Sequence, residues 1–406
     1  MRILRRRNVV MLAAVAAALA GSPLAPAAGV AAAGSDWPQF GFSAARTSEN
    51  PSETVLGPGN VAGLRQKWNF LAGEPVESSP AVVAGVVYFT SDNSHLYAVN
   101  AATGAQLWSF GFTNAFFSDP AVAGGIVYTS SVDGRLYAVN AATGAQLWSF
   151  ATPGQANGRP PAVAGGVVYF QSAFGAPAGG GAVYALDAAT GALLWSFATP
   201  GGTSPTGLAV DNGVVYETTS DEDGLRGSAY ALSAATGQML WHFASPGPLY
   251  TPVVADGILY AGFEDETTQA RVLALHADNG KARWQSQIVG ISQSPAVANG
   301  LVYVGDSYGF VDAFNATTGK LAWQFRIPPS VPTSNVDATP VVANGIVYEG
   351  AEDGTLYALG ATTGQKLASF GPIGTGIISP APVSGGAVYV GSGQYLYALA
   401  LPASAP

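Results

Sequence analysis

The chain has 406 residues and a formal net charge of −9, with 48% hydrophobic residues, 10% charged residues and no cysteine. An acidic chain repels phosphate backbones, which argues against a nucleic-acid partner. Without cysteine there is no disulfide framework, thiolate metal site, cysteine nucleophile or lipid-modified N-terminal cysteine.

Residues 1–33 read as a signal peptide. Arg2, Arg5, Arg6 and Arg7 give a positive start, Val9 to Ala20 an apolar run, and Ala31-Ala32-Ala33 a small-residue cleavage site. The run is too short for a membrane helix, which needs about 20 apolar residues. Arg6-Arg7 before Asn8-Val9-Val10 fits twin-arginine as well as general secretory export. No later stretch reaches membrane-spanning length, so a soluble, monomeric protein without a lipid anchor, secreted or periplasmic, is expected. A segment leading into the first strand occupies 34–63, repeats occupy 64–401, and 402–406 are a tail.

The repeats dominate the chain. Leu96 to Phe110 and Leu136 to Phe150 are identical. An element ending in Tyr recurs at Tyr88, Tyr128, Tyr169, Tyr216, Tyr260, Tyr303, Tyr348 and Tyr389. A glycine-to-tryptophan element places Gly104, Gly144, Gly191, Gly237, Gly280, Gly319 and Gly364 ahead of Trp108, Trp148, Trp195, Trp241, Trp284, Trp323 and, in the seventh copy, Ala368. Each period splits into four short runs rich in β-branched and aromatic residues, separated by Gly, Asp and Asn. In the first copy these runs are 79–83, 86–91, 95–100 and 105–110. Asp133-Gly134 and Asp353-Gly354 are read as type I′ hairpin turns. Four antiparallel strands per period make one propeller blade, and eight tyrosine copies make eight blades. The tryptophans are expected to fill space between blades, with the indole N–H bound to backbone. The glycines are expected at positive φ. The eighth copy ends without a tryptophan strand, whereas Leu64 to Phe70 carries Trp68 with no strands before it. The N-terminal strand should therefore complete the last blade and close the ring, removing two sheet edges.

The blocks from Ala98 to Trp108 and their equivalents resemble the tryptophan-docking repeat of pyrroloquinoline-quinone (PQQ) type propellers. Asp36-Trp37-Pro38-Gln39-Phe40-Gly41 and Asn60-Val61-Ala62-Gly63-Leu64 resemble that family's approach to its first strand. The resemblance implies one of two branches. Quinoprotein dehydrogenases hold PQQ and calcium on the axis and oxidise alcohols or sugars. Non-catalytic relatives, including an outer-membrane assembly lipoprotein and sensor domains of bacterial kinases, use the ring as a binding platform. This chain lacks the adjacent cysteines that clamp the cofactor in many of the enzymes, and the cysteine that anchors the lipoprotein. The enzymes' calcium-binding Glu and Asn and catalytic Asp match no local motif here.

The remaining candidates for chemistry are few. His95, His242 and His276 occupy different repeat positions, so convergence on a metal is not expected. Gly305-Asp306-Ser307-Tyr308-Gly309 matches a nucleophile elbow but bridges two strands, where the motif needs a strand-turn-helix. Acidic turns at Asp221-Glu222-Asp223, Glu264-Asp265-Glu266 and Glu352-Asp353 read as solvated turns rather than calcium loops. Phe112, Phe116, Phe117 and Tyr250, together with Ile377 and Ile378, fall on blade-to-blade connections and are candidates for an apolar binding rim. The expectation is a binding or scaffolding propeller without cofactor, meeting a protein or cell-envelope component. The alternative is a PQQ- and calcium-dependent alcohol or sugar dehydrogenase. A propeller lyase or glycan-active enzyme is a third reading and would need paired carboxylates at one mouth.

Overall fold

The computed structural model describes residues 35–112, 118–153, 155–156, 159–173, 180–200, 203–221, 223–265, 269–290, 294–328, 335–336, 338–374, 376–377 and 379–402. Eight antiparallel sheets stand around an axis. Blade 1 comprises, from the axis outward, Ala81–Val83, Val86–Ser91, His95–Asn100 and Gln106–Gly111. Blades 2 to 7 repeat this order. Blade 8 takes three strands from the chain's end, Val383–Ser384, Ala387–Ser392 and Tyr395–Ala400, and its outermost strand, Arg65–Leu71, from near the start. Trp68 stands opposite Ala398 in that antiparallel pair. The ring is closed as the truncated eighth copy requires.

Local chemistry fixes each blade. The hairpin after every innermost strand is a two-residue loop with both φ values positive, as at Asn212-Gly213 and Asn344-Gly345. That is the type I′ geometry, which Asn-Gly and Gly-Gly favour. At Asp133-Gly134 and Asp353-Gly354 the type I′ expectation is corrected. Only the glycine is positive there, and Gly134 N–H bonds Ser131 O while Gly354 N–H bonds Ala351 O. These are longer loops, in which Asp133 and Asp353 accept the N–H two residues on.

Tryptophan docking joins the blades. The Nε1 of Trp68, Trp108, Trp148, Trp195, Trp241, Trp284 and Trp323 donates to the carbonyls of Ala101, Ala141, Ala188, Ala234, Ala277, Ala316 and Ala361 of the following blade, at 2.8–3.2 Å. Each indole lies over the turn glycine. A Cβ on Gly104 would stand 2.8 Å from Trp68 Cδ2, and one on Gly144 2.8 Å from Trp108 Cδ2. A β-bulge just before the tryptophan, at Gln106/Trp108 and its equivalents, aims the indole at the next blade and leaves residues such as Leu107 and Leu147 facing outward. The seventh copy lacks its tryptophan for a structural reason. Blade 8 joins its third and fourth strands through the two ends of the chain, so no glycine turn exists to receive an indole. The short 3-10 turn Val61–Gly63 packs beside Lys366–Phe370 instead.

Residues 35–50 form a plug across one end of the axis. The plug meets each innermost strand in turn. Trp37 and Val82 exchange two 2.7 Å backbone bonds on blade 1, and Pro38 O accepts Val122 N on blade 2. The Gln39 amide bonds both backbone groups of Val163 on blade 3. The carbonyls of Ala44, Ala45, Thr47 and Ser48 accept Val210, Val254, Val297 and Val342 N–H on blades 4 to 7. Asn50 Nδ2 donates to Val383 O on blade 8 at 2.8 Å. The plug thus satisfies inner-edge groups of all eight sheets. Phe42, Arg46 and Ser48 adopt left-handed φ of 69°, 66° and 54°. Such strain, about 1–2 kcal/mol per residue, persists only where surrounding contacts over-determine it.

Candidate binding site on the propeller axis

The plug occupies the end of the axis where the type I′ hairpins lie. The other end, the connector face, carries the blade-to-blade connections and the hairpins between second and third strands. Charged groups converge between the innermost strands of blades 1 to 4. Arg46 rises from the plug and is almost wholly buried, at 1% exposure. Its guanidinium donates to Phe40 O and Pro160 O at 2.8 Å, and to Pro161 O and Leu208 O at 3.1 Å. It also lies 5.2 Å from the Phe40 ring centroid. Burial lowers its pKa to about 10, against the opposing pull of Asp119.

Asp119 stands just before the innermost strand of blade 2, at the position Ser79 holds in blade 1. Its Oδ1 accepts Ser79 N–H at 2.7 Å. Burial raises its pKa to about 7, although that hydrogen bond and the Arg46 and Arg159 guanidiniums favour the carboxylate. Arg159 precedes Pro160-Pro161, which biases it to extended backbone. Its carbonyl accepts Ser130 Oγ at 3.0 Å. The Arg159 side chain is exposed, yet the surrounding protein still lowers its pKa, again against Asp119. Asp119 thus lies in the field of two guanidiniums, neither of which pairs with it within 4 Å.

The wall around this cluster is asymmetric. Two residues after each repeat tyrosine, blades 1 to 4 carry Thr90, Ser130, Gln171 and Thr218, whereas blades 5 to 8 carry Gly262, Gly305, Gly350 and Gly391. The glycines let apolar connections close in. A Cβ on Gly305 would meet Val336 at 2.4 Å, and one on Gly350 would meet Ile377 at 2.3 Å. On the polar side, Ser78 Oγ accepts Thr90 N–H and Ser118 Oγ accepts Ser130 N–H. Between blades 3 and 4, Glu217 Oε1 accepts Gln171 Nε2 at 3.3 Å and Thr199 Oγ1 at 3.0 Å, while Oε2 has no partner. Burial raises Glu217 to about 8, so its carboxyl is largely neutral at pH 7. The sequence reading passed over Arg46, Asp119, Arg159 and Glu217. The polar-to-glycine change two residues past each tyrosine is the signal that would have exposed the asymmetry.

The sequence candidates lie apart from the cluster. His95 stacks on Tyr97 with Nδ1 2.9 Å from Asn93 O, and His242 stacks on Tyr230 with Nε2 3.0 Å from Ser228 Oγ. His276 ends a strand of blade 5. Ser307 lies in a hairpin where Asp306 Oδ1 accepts the N–H groups of Tyr308 and Phe310, with no helix following. Asp221 and Asp265 cap their own turns, and Asp265 pairs with Arg271 at 3.4 Å. Phe112 packs on Phe110 and Tyr137, and Tyr250 is half-buried. Phe116, Phe117, Glu222, Glu266 and Ile378 lie outside the described residues. Ile377 is buried against Gly350. The connector face does expose Tyr308 (64%) and Val289 (53%), with the Tyr308 ring against Gly290, the residue after Val289, a pair the sequence did not suggest. Clefts of about 280 Å³ at the blade 8–1 seam and about 500 Å³ between blades 2 and 3 open on the plug face, reaching Tyr389 and Tyr128. The Tyr128 hydroxyl is already committed to Ala188 O.

An eight-bladed ring with tryptophan-docked blades defines the structural class. A repeat-family model described as outer membrane protein assembly factor BamB matches residues 59–180, 132–291 and 179–402, and the chain belongs to this family of PQQ-like repeat proteins. Among solved structures it is similar to a europium-containing methanol dehydrogenase (17% identity, TM-score 0.76, 91% of this chain and 99% of that one). It is also similar to quinohemoprotein alcohol dehydrogenase from Comamonas testosteroni (18%, 0.73, 93% and 82%). BamB from Moraxella catarrhalis follows the same fold (20%, 0.65, 83% and 99%). No curated protein matches the sequence. At these identities the likeness is one of fold.

The dehydrogenase neighbours raise the question of PQQ with a metal ion. Calcium takes six to eight oxygen ligands, several of them carboxylate. Among the described residues no group of three or more His, Cys, Asp or Glu side chains could hold a metal. The axial cluster offers one carboxylate, already bound to Ser79 N–H and in the field of two guanidiniums. This donor set does not fit a hard divalent cation.

Proposed function

We propose that the protein is an exported, non-catalytic propeller that binds a protein or cell-envelope component through its connector face. One observation carries the reading: the described charged groups on the axis are two arginines around a single carboxylate, a set suited to binding and not to a cation-assisted redox centre. The plug supports it, because residues 35–50 occupy one end of the axis and leave the connector face as the side where the charged cluster and the Tyr308–Val289 pair can meet a partner. Export is supported by the arginine-rich start and apolar run of residues 1–33. Among the described residues no helix is long and apolar enough to cross a membrane. The dehydrogenase alternative rests on fold likeness alone.

Site-specific photo-crosslinking in the producing cell tests the reading. Photoreactive residues at Tyr308 and Leu225 on the connector face should yield discrete adducts. The same residues at exposed Ala102 and Ala142 on the plug face should not. Adducts confined to the plug face would refute the assignment.

A further inference from the structure

We infer that Arg159, on the connector face and within the field of Asp119 and Arg46, forms a binding site for a single carboxylate group. The inference deepens the binding-platform reading and rests on it.

The geometry supplies the parts. Arg46 spends its guanidinium on four backbone carbonyls and is a fixed positive floor. Arg159 makes no side-chain hydrogen bond or ion pair to a described residue, and it is exposed. It therefore has a free fork of N–H donors, the shape that pairs with a carboxylate through two parallel bonds. Ser79 Oγ is buried without a partner next to the backbone N–H that holds Asp119. A second free donor group thus borders the same carboxylate.

The charge balance selects the ligand. With Asp119 ionised the cluster carries one net positive charge; with Asp119 protonated it carries two. A monoanion matches that range, whereas a phosphate dianion would meet Asp119 across the only free guanidinium. Asp119 is faced by Ser79 from blade 1, Arg46 from the plug and Arg159 from the segment before blade 3. Glu74, Glu77 and Asp92 lie on the blade 1 side of the connector face; burial raises the pKa of Glu77 and of Asp92, with smaller contributions from the charges of Asp92 and Glu74 respectively. Protonating Asp119 removes one like charge from the ligand's surroundings, so affinity should rise as pH falls through about 7.

The test follows the Arg159 side-chain Nε–H resonance by NMR during titration with acetate, N-acetylglycine and N-acetylglycinamide at pH 6 and pH 8. Saturable shifts with both acids and none with the amide are expected. Binding should be about tenfold tighter at pH 6, the order of one like-charge contact in a partly solvated site. Equal affinities would point to a free small acid, and tighter N-acetylglycine to the C-terminus of a peptide; either supports the site. Calorimetry should show binding lost in Arg159→Gln and made pH-independent, at the pH 6 strength, in Asp119→Asn. Unchanged melting of Arg159→Gln checks its fold. No saturable shift at either pH, or full binding by Arg159→Gln, overturns the inference. Either outcome leaves the crosslinking test of the connector face to stand or fail separately.

Discussion

Replacing Arg46 by alanine should loosen the plug before it disturbs the ring. The substitution deletes four charge-assisted hydrogen bonds to Phe40, Pro160, Pro161 and Leu208 carbonyls. Each is worth about 1.5–3 kcal/mol while its acceptor stays buried. Water entering the vacated space recovers part of that, so the net cost is about 3–5 kcal/mol, as when one partner of a buried ionic contact is removed. Alanine keeps the left-handed strain at φ 66°, whereas glycine relieves it. Arg46→Gly should therefore be milder by about 1 kcal/mol. Amide hydrogen exchange reads the effect where it acts. The N–H groups of Val210, Val254, Val297 and Val342 donate to plug carbonyls. A loss of about 3 kcal/mol speeds their exchange about 100-fold if opening is local to the plug. Amides of the third strands, such as Val99 and Val139, should change far less. Equal acceleration throughout the blades, or none at the four valines, would refute the view that Arg46 pins the plug.

Two further outcomes follow from the packing. Gly104→Ala and Gly124→Ala both place a side chain at positive φ, but a Cβ at Gly104 meets Trp68 at 2.8 Å, while at Gly124 nothing lies within 4 Å. Chemical denaturation should show Gly104→Ala the more destabilised by about 1–3 kcal/mol, the cost of overpacking alone. Glu217→Gln tests the buried carboxyl. The folded protein keeps that proton up to about pH 8, whereas an unfolded glutamate loses it near 4.5. The raised pKa therefore makes stability fall as pH rises between those values, by about 3–5 kcal/mol in all. Glutamine can keep the bonds from Gln171 and Thr199. The variant should match the parent near pH 4.5 and exceed it at pH 8 in denaturation measurements, and equal pH profiles would contradict the assignment.

The ring was legible because its information is periodic. Identical blocks from Leu96 and Leu136, the Trp68 strand without companions and the eighth copy without a tryptophan together specify blade number and closure. The plug was not legible, because Ser35 to Asn50 occurs once and follows the changing edges of eight blades with no period of its own. Beside Gly41, its φ-positive residues are Phe42, Arg46 and Ser48, types that do not usually announce such turns. The axial cluster was hidden for the same reason. Asp119 stands at the repeat position of Ser79 and Arg159 at that of Ser78, each the one charged residue among eight copies of a varied position, and their approach to Arg46 depends on the plug. The type I′ misassignment came from weighing Asp-Gly dipeptides alone, when loop length decides the turn.

The central claim is that the axis binds and does not carry a redox cofactor, and titrating PQQ into the purified protein with and without calcium tests it most directly. Calorimetry should give no saturable, calcium-dependent one-to-one binding, and an artificial electron acceptor should detect no oxidation of alcohols or sugars. Stoichiometric calcium-dependent binding with turnover would contradict the account and make the protein a quinoprotein dehydrogenase.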